Sequence, residues 1–260
     1  MKIAFITLSP EGAALFVELR KAFAEADYFL HDKVEGEFTA GRFSRVADLT
    51  ANIFDQYEGL VYIAPSGAVV RAIAPHLKDK LKDPAVVQLD VGGRWAVSLL
   101  SGHEGGANAL AFAVANAIGA EPVVSTSTDA AKNLIVGVGC RRGVEAARII
   151  DAVKTALADA GCALQKVRCI ASADVKADET GLIEAAHALG VPLRFIASEE
   201  IRESTRDFDR SAFVEQSVNL PAVAEPAALL AGRRTSLLLK RRTFKGITVA
   251  IARERSLSLA

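Results

Sequence analysis

Short apolar runs alternate along this chain with segments whose apolar residues recur at helical spacing, the pattern of strands joined by crossover helices. Residues 3–8 read as a first strand, Ser9-Pro10-Glu11-Gly12 as a turn, and Leu15, Phe16, Leu19 and Phe23 as the stripe of the helix that follows. Residues 59–64 repeat the strand, Pro65-Ser66-Gly67 the turn, and Val69, Val70 and Ile73 the helix. Residues 86–90 meet Gly92-Gly93 and return through 95–100, a predicted hairpin. The segment Ser101-Gly102-His103-Glu104-Gly105-Gly106 then opens a helix striped by Ala107, Leu110, Ala111, Val114 and Ile118 and stopped by Gly119, and a strand at 122–125 closes the half.

The order restarts after Ala131. A strand over 134–138, the glycine segment Gly137-Val138-Gly139-Cys140-Arg141-Arg142-Gly143 and a helix striped by Ala146, Ile149, Ile150, Val153 and Leu157 come first. A strand at 167–171, a helix at 180–189 capped by Gly190, a strand at 193–196 and apolar runs at 237–239 and 247–252 around a basic turn follow. The chain therefore reads as two α/β domains, 1–131 and 132–260, with mostly parallel or mixed sheets flanked by helices.

Composition narrows the class. At 51% hydrophobic and 24% charged residues the chain is too apolar for intrinsic disorder. No run reaches the roughly 18 apolar residues of a membrane span, and the short opening run reads as a strand, not a leader. Thirty-one basic residues cancel 31 acidic ones, which argues against nucleic acid or an anionic membrane as partner. Residues 232–260 are the local exception, with eight basic side chains against Glu254 alone; solvated side chains of a strand pair and an anion-facing surface explain this equally. The three cysteines, Cys140, Cys162 and Cys169, form no C-x-x-C pair, so neither a disulfide framework nor structural zinc is expected, and a reducing cytoplasm fits.

His103 and Glu104 carry the richest candidate chemistry, in a turn where four of six residues are Gly or Ser and where free amides ahead of a helix are expected to favour anions. The imidazole can change charge near neutral pH, and Glu104 can orient it or take protons itself; the plainer alternative is a tight turn with exposed polar side chains. Ala107 stands where an H-E-x-x-H zinc helix needs its second histidine, and no G-x-S-x-G elbow occurs. Gly137-x-Gly139 opens a dinucleotide fingerprint, but Arg142 occupies the third glycine position. Arg141 and Arg142 suit carboxylates or phosphates, or form a surface pair balanced by Glu145. Ser66-Gly67 with Arg71 adds a second turn able to meet anions, Asp129 is a helix cap or a ligand contact, and Glu225-Pro226 reads as a helix start. Cys140 reads as a small strand-end residue, and His31, His76 and His187 as structural.

Several of these segments together resemble a known family. Residues Ser98-Leu99-Leu100-Ser101-Gly102-His103-Glu104-Gly105-Gly106-Ala107-Asn108, with 62–71 and 122–129, are similar to the N-terminal motifs of the CbiG family of cobalamin biosynthesis, the cobalt-precorrin-5A hydrolases. Segments 137–143, 170–176, 223–228 and 247–253 resemble the motifs of its C-terminal domain. The middle segment that many members carry between the two is absent here. The resemblance implies a cobalt-corrinoid lactone as substrate, opened by water with release of acetaldehyde, the cobalt arriving with the substrate so that no cofactor or metal site of the protein's own is needed. It implies that His103, assisted by Glu104, moves the protons, that the amides at Gly102, Gly105 and Gly106 hold the developing oxyanion, and that Ser101 contacts substrate beside them. Ser66, Gly67, Arg71, Asn108, Asp129, Arg141, Arg142 and Glu225 would then contact substrate. A carrier that binds the corrinoid without turnover, and a nucleotide- or S-adenosylmethionine-dependent enzyme built on the Gly137 loop, stay open as alternatives. So do a homodimer and contact with other enzymes of the pathway.

Overall fold

The first helix begins where its sequence supplies both devices of a helix start. Ser9 accepts a hydrogen bond from the Gly12 amide, and Pro10 stands at the first helical position. In the computed structural model, which describes residues 1–36, 39–209, 215 and 219–256, the chain divides into the units Met1–Thr126 and Ser127–Ala260. The division precedes the position read from composition because residues 127–131 share their contacts with the second unit.

The first unit runs β1 (Ile3–Thr7), α1 (Pro10–Ala22), β2 (Asp27–His31), β3 (Gly41–Phe43), α2 (Val46–Ile53), β4 (Gly59–Ile63), α3 (Ser66–Ile73), β5 (Ala85–Leu89), β6 (Trp95–Leu100), α4 (Ala107–Ile118) and β7 (Glu121–Val123). Its sheet has the order β3-β2-β1-β4-β5-β6-β7, and every neighbouring pair is parallel except β5 and β6. The central strands β1, β4 and β5 are almost wholly apolar because both faces are covered, Thr7 and Gln88 being buried polar exceptions. Phe5, Val61 and Val87 pack against Phe16 and Leu19 of α1 and Leu110 and Val114 of α4. Ile6, Leu60, Tyr62 and Val86 meet Ile53 of α2 and Val69 and Ile73 of α3 on the opposite face.

The expected hairpin is present, but its turn is organised by Asp90 more than by its glycines. The Asp90 carboxylate accepts the amides of Arg94 and Trp95, each at 2.8 Å, and that of Gly92 at 3.2 Å. Burial works against its charge, yet these amides and the Arg94 guanidinium outweigh it and hold the carboxyl below its usual range. This turn fixes the one antiparallel junction in the sheet.

The second unit contains α5 (Ser127–Ala130), β8 (Leu134–Cys140), α6 (Ala146–Asp159), β9 (Val167–Ala173), α7 (Thr180–Leu189), β10 (Leu193–Ile196), α8 (Ser198–Glu203), α9 (Ala224–Leu230), β11 (Thr235–Phe244) and β12 (Ile247–Glu254). Its sheet order is β10-β9-β8-β12-β11, with β8, β9 and β10 parallel and β12 antiparallel to both neighbours. Val136, Val138 and Ile170 pack with Ile149 and Val153 of α6 and Leu182 of α7. The glycines of the 137–143 segment serve packing: a Cβ on Gly137 would overlap the carbonyl of Ala224 at the start of α9, and one on Gly139 would stand 2.7 Å from Thr248 Oγ1 and 3.2 Å from Val223. The basic tail forms the β11–β12 hairpin, where Lys240 pairs with Asp209 at 3.6 Å and Arg242 with Asp159 at 3.5 Å. Among the described residues no helix is long and apolar enough to cross a membrane.

Gly137→Ala should therefore destabilise the second unit by on the order of 3 kcal/mol through backbone overlap, read as an earlier thermal unfolding transition. An unchanged transition would mean that α9 can retreat from β8 at no cost.

Candidate active site

The β6–α4–β7 segment is a parallel strand, helix, strand unit, and the loop Ser101–Gly106 emerges at the carboxyl ends of its strands, where such units place ligands. Because β6 runs against β5 while β4 runs with it, the carboxyl end of β6 lies at the opposite end of the sheet from the carboxyl end of β4. Ser66, Gly67 and Arg71 follow β4, so the structure does not bring them to His103. Ser66 instead donates to Gln88 Oε1 at 3.2 Å beside a cleft of ≈ 520 Å³ lined also by Pro65, Asp90, Trp95 and Val97. Arg71 donates to the carbonyl of Gly67 at 2.9 Å, within its own helix.

The loop at the other end is closed on itself. Ser101 adopts a left-handed backbone, φ 55°, and its carbonyl accepts the amides of Gly105 at 3.1 Å and Ala107 at 3.2 Å, while the Gly102 carbonyl accepts the Asn108 amide at 2.9 Å. Of the amides expected to meet an anion, that of Gly105 is therefore taken by the loop itself, and those of Ala107 and Asn108 at the helix start are likewise spent on closing it. The glycines permit that closure. A Cβ on Gly102 would stand 2.6 Å from Thr126 Cγ2 and 2.7 Å from Asn108 Oδ1, one on Gly105 2.5 Å from the Ser101 Cβ, and Gly106 has φ 87°.

Asn108 is the clamp of this corner. Buried in the first turn of α4, it accepts from Ser98 Oγ at 2.7 Å and donates to Thr126 Oγ1 at 2.9 Å, which ties β6, α4 and the segment after β7 together. Its side chain therefore supports the site from within instead of facing a ligand.

His103 and Glu104 are exposed at the loop's tip. Lys80 reaches Glu104 Oε1 at 3.0 Å from a turn organised by Asp83, whose carboxylate accepts the amides of Lys78 at 3.0 Å and Asp79 at 3.3 Å. The hydrogen bond from Lys80, with its charge, holds the Glu104 carboxyl below its usual range and raises Lys80 in turn. Glu104 is accordingly a fixed negative charge more than a proton acceptor. Lys80 was invisible to sequence reading, because nothing local links it to a residue 24 positions away.

The remaining predicted residues belong to the second unit. Asp129 is paired with Lys132 at 2.6 Å. Arg141 and Arg142 are exposed; Arg142 donates to Asp178 at 2.8 Å and lies 3.8 Å from Glu179, not paired with Glu145. Glu225, 1% exposed, accepts the amides of Asp209 at 2.7 Å and Arg241 at 2.8 Å, so both of its oxygens are engaged by backbone and it is an anchor, not a ligand contact. Sequence reading also passed over a buried pair, Lys176 and Glu179 at 3.4 Å, whose carboxylate further accepts the Gly143 amide at 3.1 Å and so pins the 139–143 segment. Burial pushes the neighbouring Cys140 thiol up, against the opposing charge of Lys176. Among the described residues no group of three or more His, Cys, Asp or Glu could hold a metal ion.

Residues 48–129 match the family Cobalamin synthesis G N-terminal, and residues 134–252 match Cobalamin synthesis G C-terminus, so only residues 130–133 stand between the two segments. The Cobalt-precorrin-5A hydrolase of Priestia megaterium is 25% identical over 352 residues, covering 96% of this chain and 94% of that protein. This alignment is longer than the chain, so the relative carries residues with no counterpart here. Protein CobE of Sinorhizobium sp is 34% identical over 128 residues, 48% of this chain and 83% of CobE. A solved structure of CobE, described as a protein from the cobalamin (vitamin B12) biosynthetic pathway, is 32% identical with a TM-score of 0.44, covering 47% of this chain and 91% of that one.

Replacing Asn108 by Ala should cost about 1–3 kcal/mol, since it leaves the Ser98 hydroxyl without its buried acceptor; chemical denaturation measures the loss. Lys80→Met should raise the Glu104 carboxyl toward its ordinary value, an upward shift visible by NMR titration.

Proposed function

The chain belongs to the cobalamin synthesis G family, and we propose that it is a cobalt-precorrin-5A hydrolase. The observation that carries this reading is the match to hydrolases of that name across 96% of the chain, through both units and not through one of them. It favours an enzyme over a corrinoid carrier. The nucleotide-dependent alternative loses its footing as well, because Gly137 and Gly139 are filled by Ala224, Val223 and Thr248 where a pyrophosphate would have to approach.

In this reaction water adds to the lactone carbonyl of a ring-contracted cobalt corrinoid, the acyl carbon–oxygen bond breaks, and a carboxylate and a hydroxyl result. The hydroxyl then loses its proton as the adjacent carbon–carbon bond breaks, its electrons pass to the macrocycle, and the two-carbon fragment leaves as acetaldehyde. Each step moves a proton. His103 is the exposed group at the loop tip suited to take it from water and to handle it again at cleavage. Glu104, its carboxyl held below the usual range by Lys80, supplies the negative charge that would stabilise an imidazolium formed at the neighbouring residue.

Arg141 and Arg142 supply guanidinium groups for the peripheral carboxylates, with Arg142 exchanging Asp178 for substrate. Ser66, Gly67 and Arg71 are left out of the site, because they sit at the far end of the first sheet. Cobalt enters as part of the substrate, so the reaction asks for no resident metal, and a small-molecule substrate turned over in the cytoplasm needs neither nucleic acid nor a membrane.

Incubation with cobalt-precorrin-5A should release acetaldehyde, trapped as a hydrazone; its absence with authentic substrate overturns the reading. His103→Ala should lower kcat by about 100-fold or more, and undiminished turnover removes His103 from the mechanism. Arg141→Ala combined with Arg142→Ala should weaken substrate binding by a few kcal/mol at most, seen as a raised KM, given ~1.5–3 kcal/mol for each charged hydrogen bond; unchanged affinity would mean that they face only solvent.

A further inference from the structure

The end of β6 holds a mismatch that packing does not explain. Ser101 is 7% exposed, and its hydroxyl oxygen is buried without a hydrogen-bond partner. Its backbone sits at φ 55°, a conformation costly for any residue but glycine. Two simpler residues would avoid one or both costs: glycine takes that backbone freely, and alanine buries no polar atom. The turn itself needs only the Ser101 carbonyl, which closes the loop through Gly105 and Ala107. The hydroxyl contributes nothing to that closure.

A strained residue with an unsatisfied group, lodged under a candidate active-site loop, points to a role outside folding. The side chain turns into the loop, its Cβ 2.5 Å from where a Cβ on Gly105 would stand. Since the oxygen is sealed from outside, a substrate cannot reach it; only the main chain of the loop above can. The tip of that main chain, at the exposed residues 103 and 104, lies between Gly102 and Gly105 and can adjust while the hydrogen bonds at Gly105, Ala107 and Asn108 hold the base of the loop. Resting on the hydrolase reading, we propose that Ser101 is a positioning residue of the reaction. When substrate presses the loop inward, the hydroxyl gains a main-chain partner in the 102–104 segment, and that bond fixes His103 at the height required for proton transfer.

Ser101→Ala and Ser101→Gly in the full-length protein test this. Both variants should match or exceed the wild-type unfolding temperature, while kcat for acetaldehyde release falls at least tenfold and KM stays within twofold. Amide hydrogen exchange over residues 101–106 should slow on saturation with substrate in the wild type and not in Ser101→Ala. Wild-type turnover with both variants equally active, or exchange that slows alike in wild type and Ser101→Ala, overturns this inference alone. A wild type that releases no acetaldehyde overturns the hydrolase reading and this inference with it.

Discussion

The architecture of the first unit depends on one reversal of strand direction. The Asp90 carboxylate, by accepting three backbone amides in succession, turns the chain so that β6 runs back against β5. A parallel sheet with every strand in one sense would gather its βα loops at one end, and Ser66, Gly67 and Arg71 would then face His103. The reversal sends the β6–α4–β7 unit the other way, so its loop meets the Lys78–Asp83 turn instead. A single half-buried carboxylate thereby decides which residues can share a site. The topology, more than any local motif, chooses Lys80 as the partner of Glu104.

Glycine in this chain is spent on close approach, and the same logic governs both units. In the first, Gly102 and Gly105 let a six-residue loop fold onto Asn108, Thr126 and Ser101; in the second, Gly137 and Gly139 let α9 and its preceding residues lie directly on β8. Glycine-rich strand ends are commonly read as cradles for phosphate, because amides brought close to a ligand need room. Here the room is already filled by protein. What remains for chemistry is the set of side chains these tight loops push outward, His103 and Glu104 in one unit and Arg141 and Arg142 in the other.

The legible parts of the fold were those whose residues answer to a single environment. Strands buried on both faces, such as β4 and β5, stand out as apolar runs, and α7 with its Gly190 cap and β10 fall at the predicted positions. Residues 24–58 gave no such signal. There β2 buries only Tyr28 and Leu30 between polar ends, β3 has only three residues, and α2, which begins at Val46, follows Arg45 without a side-chain cap. The site was half legible for a related reason. His103 and Glu104 announce themselves by composition, but Lys80, Ser98 and Thr126 reach the loop only through the sheet, and the two carboxylates at Glu179 and Glu225 reveal themselves as anchors only once their amide partners are known.

Charge on the second unit bears on how a chain of zero net charge could recognise a ring studded with carboxylates. Exposed ion pairs in water are worth about 0–1 kcal/mol each, so Arg142 gains little by trading Asp178 for a substrate carboxylate. The basic surplus of the β11–β12 hairpin is also partly neutralised, Lys240 by Asp209 and Arg242 by Asp159. Affinity under the proposed function must then come mainly from burying the apolar faces of the macrocycle. The arginines contribute orientation, because a planar guanidinium accepts a carboxylate in few geometries and a misplaced ring leaves it to its resident acid. Such a division of labour suits an enzyme whose product keeps every carboxylate of its substrate and gains the one freed from the lactone: strong charge recognition would hold the product at least as tightly, whereas weak, exchangeable pairs let it leave.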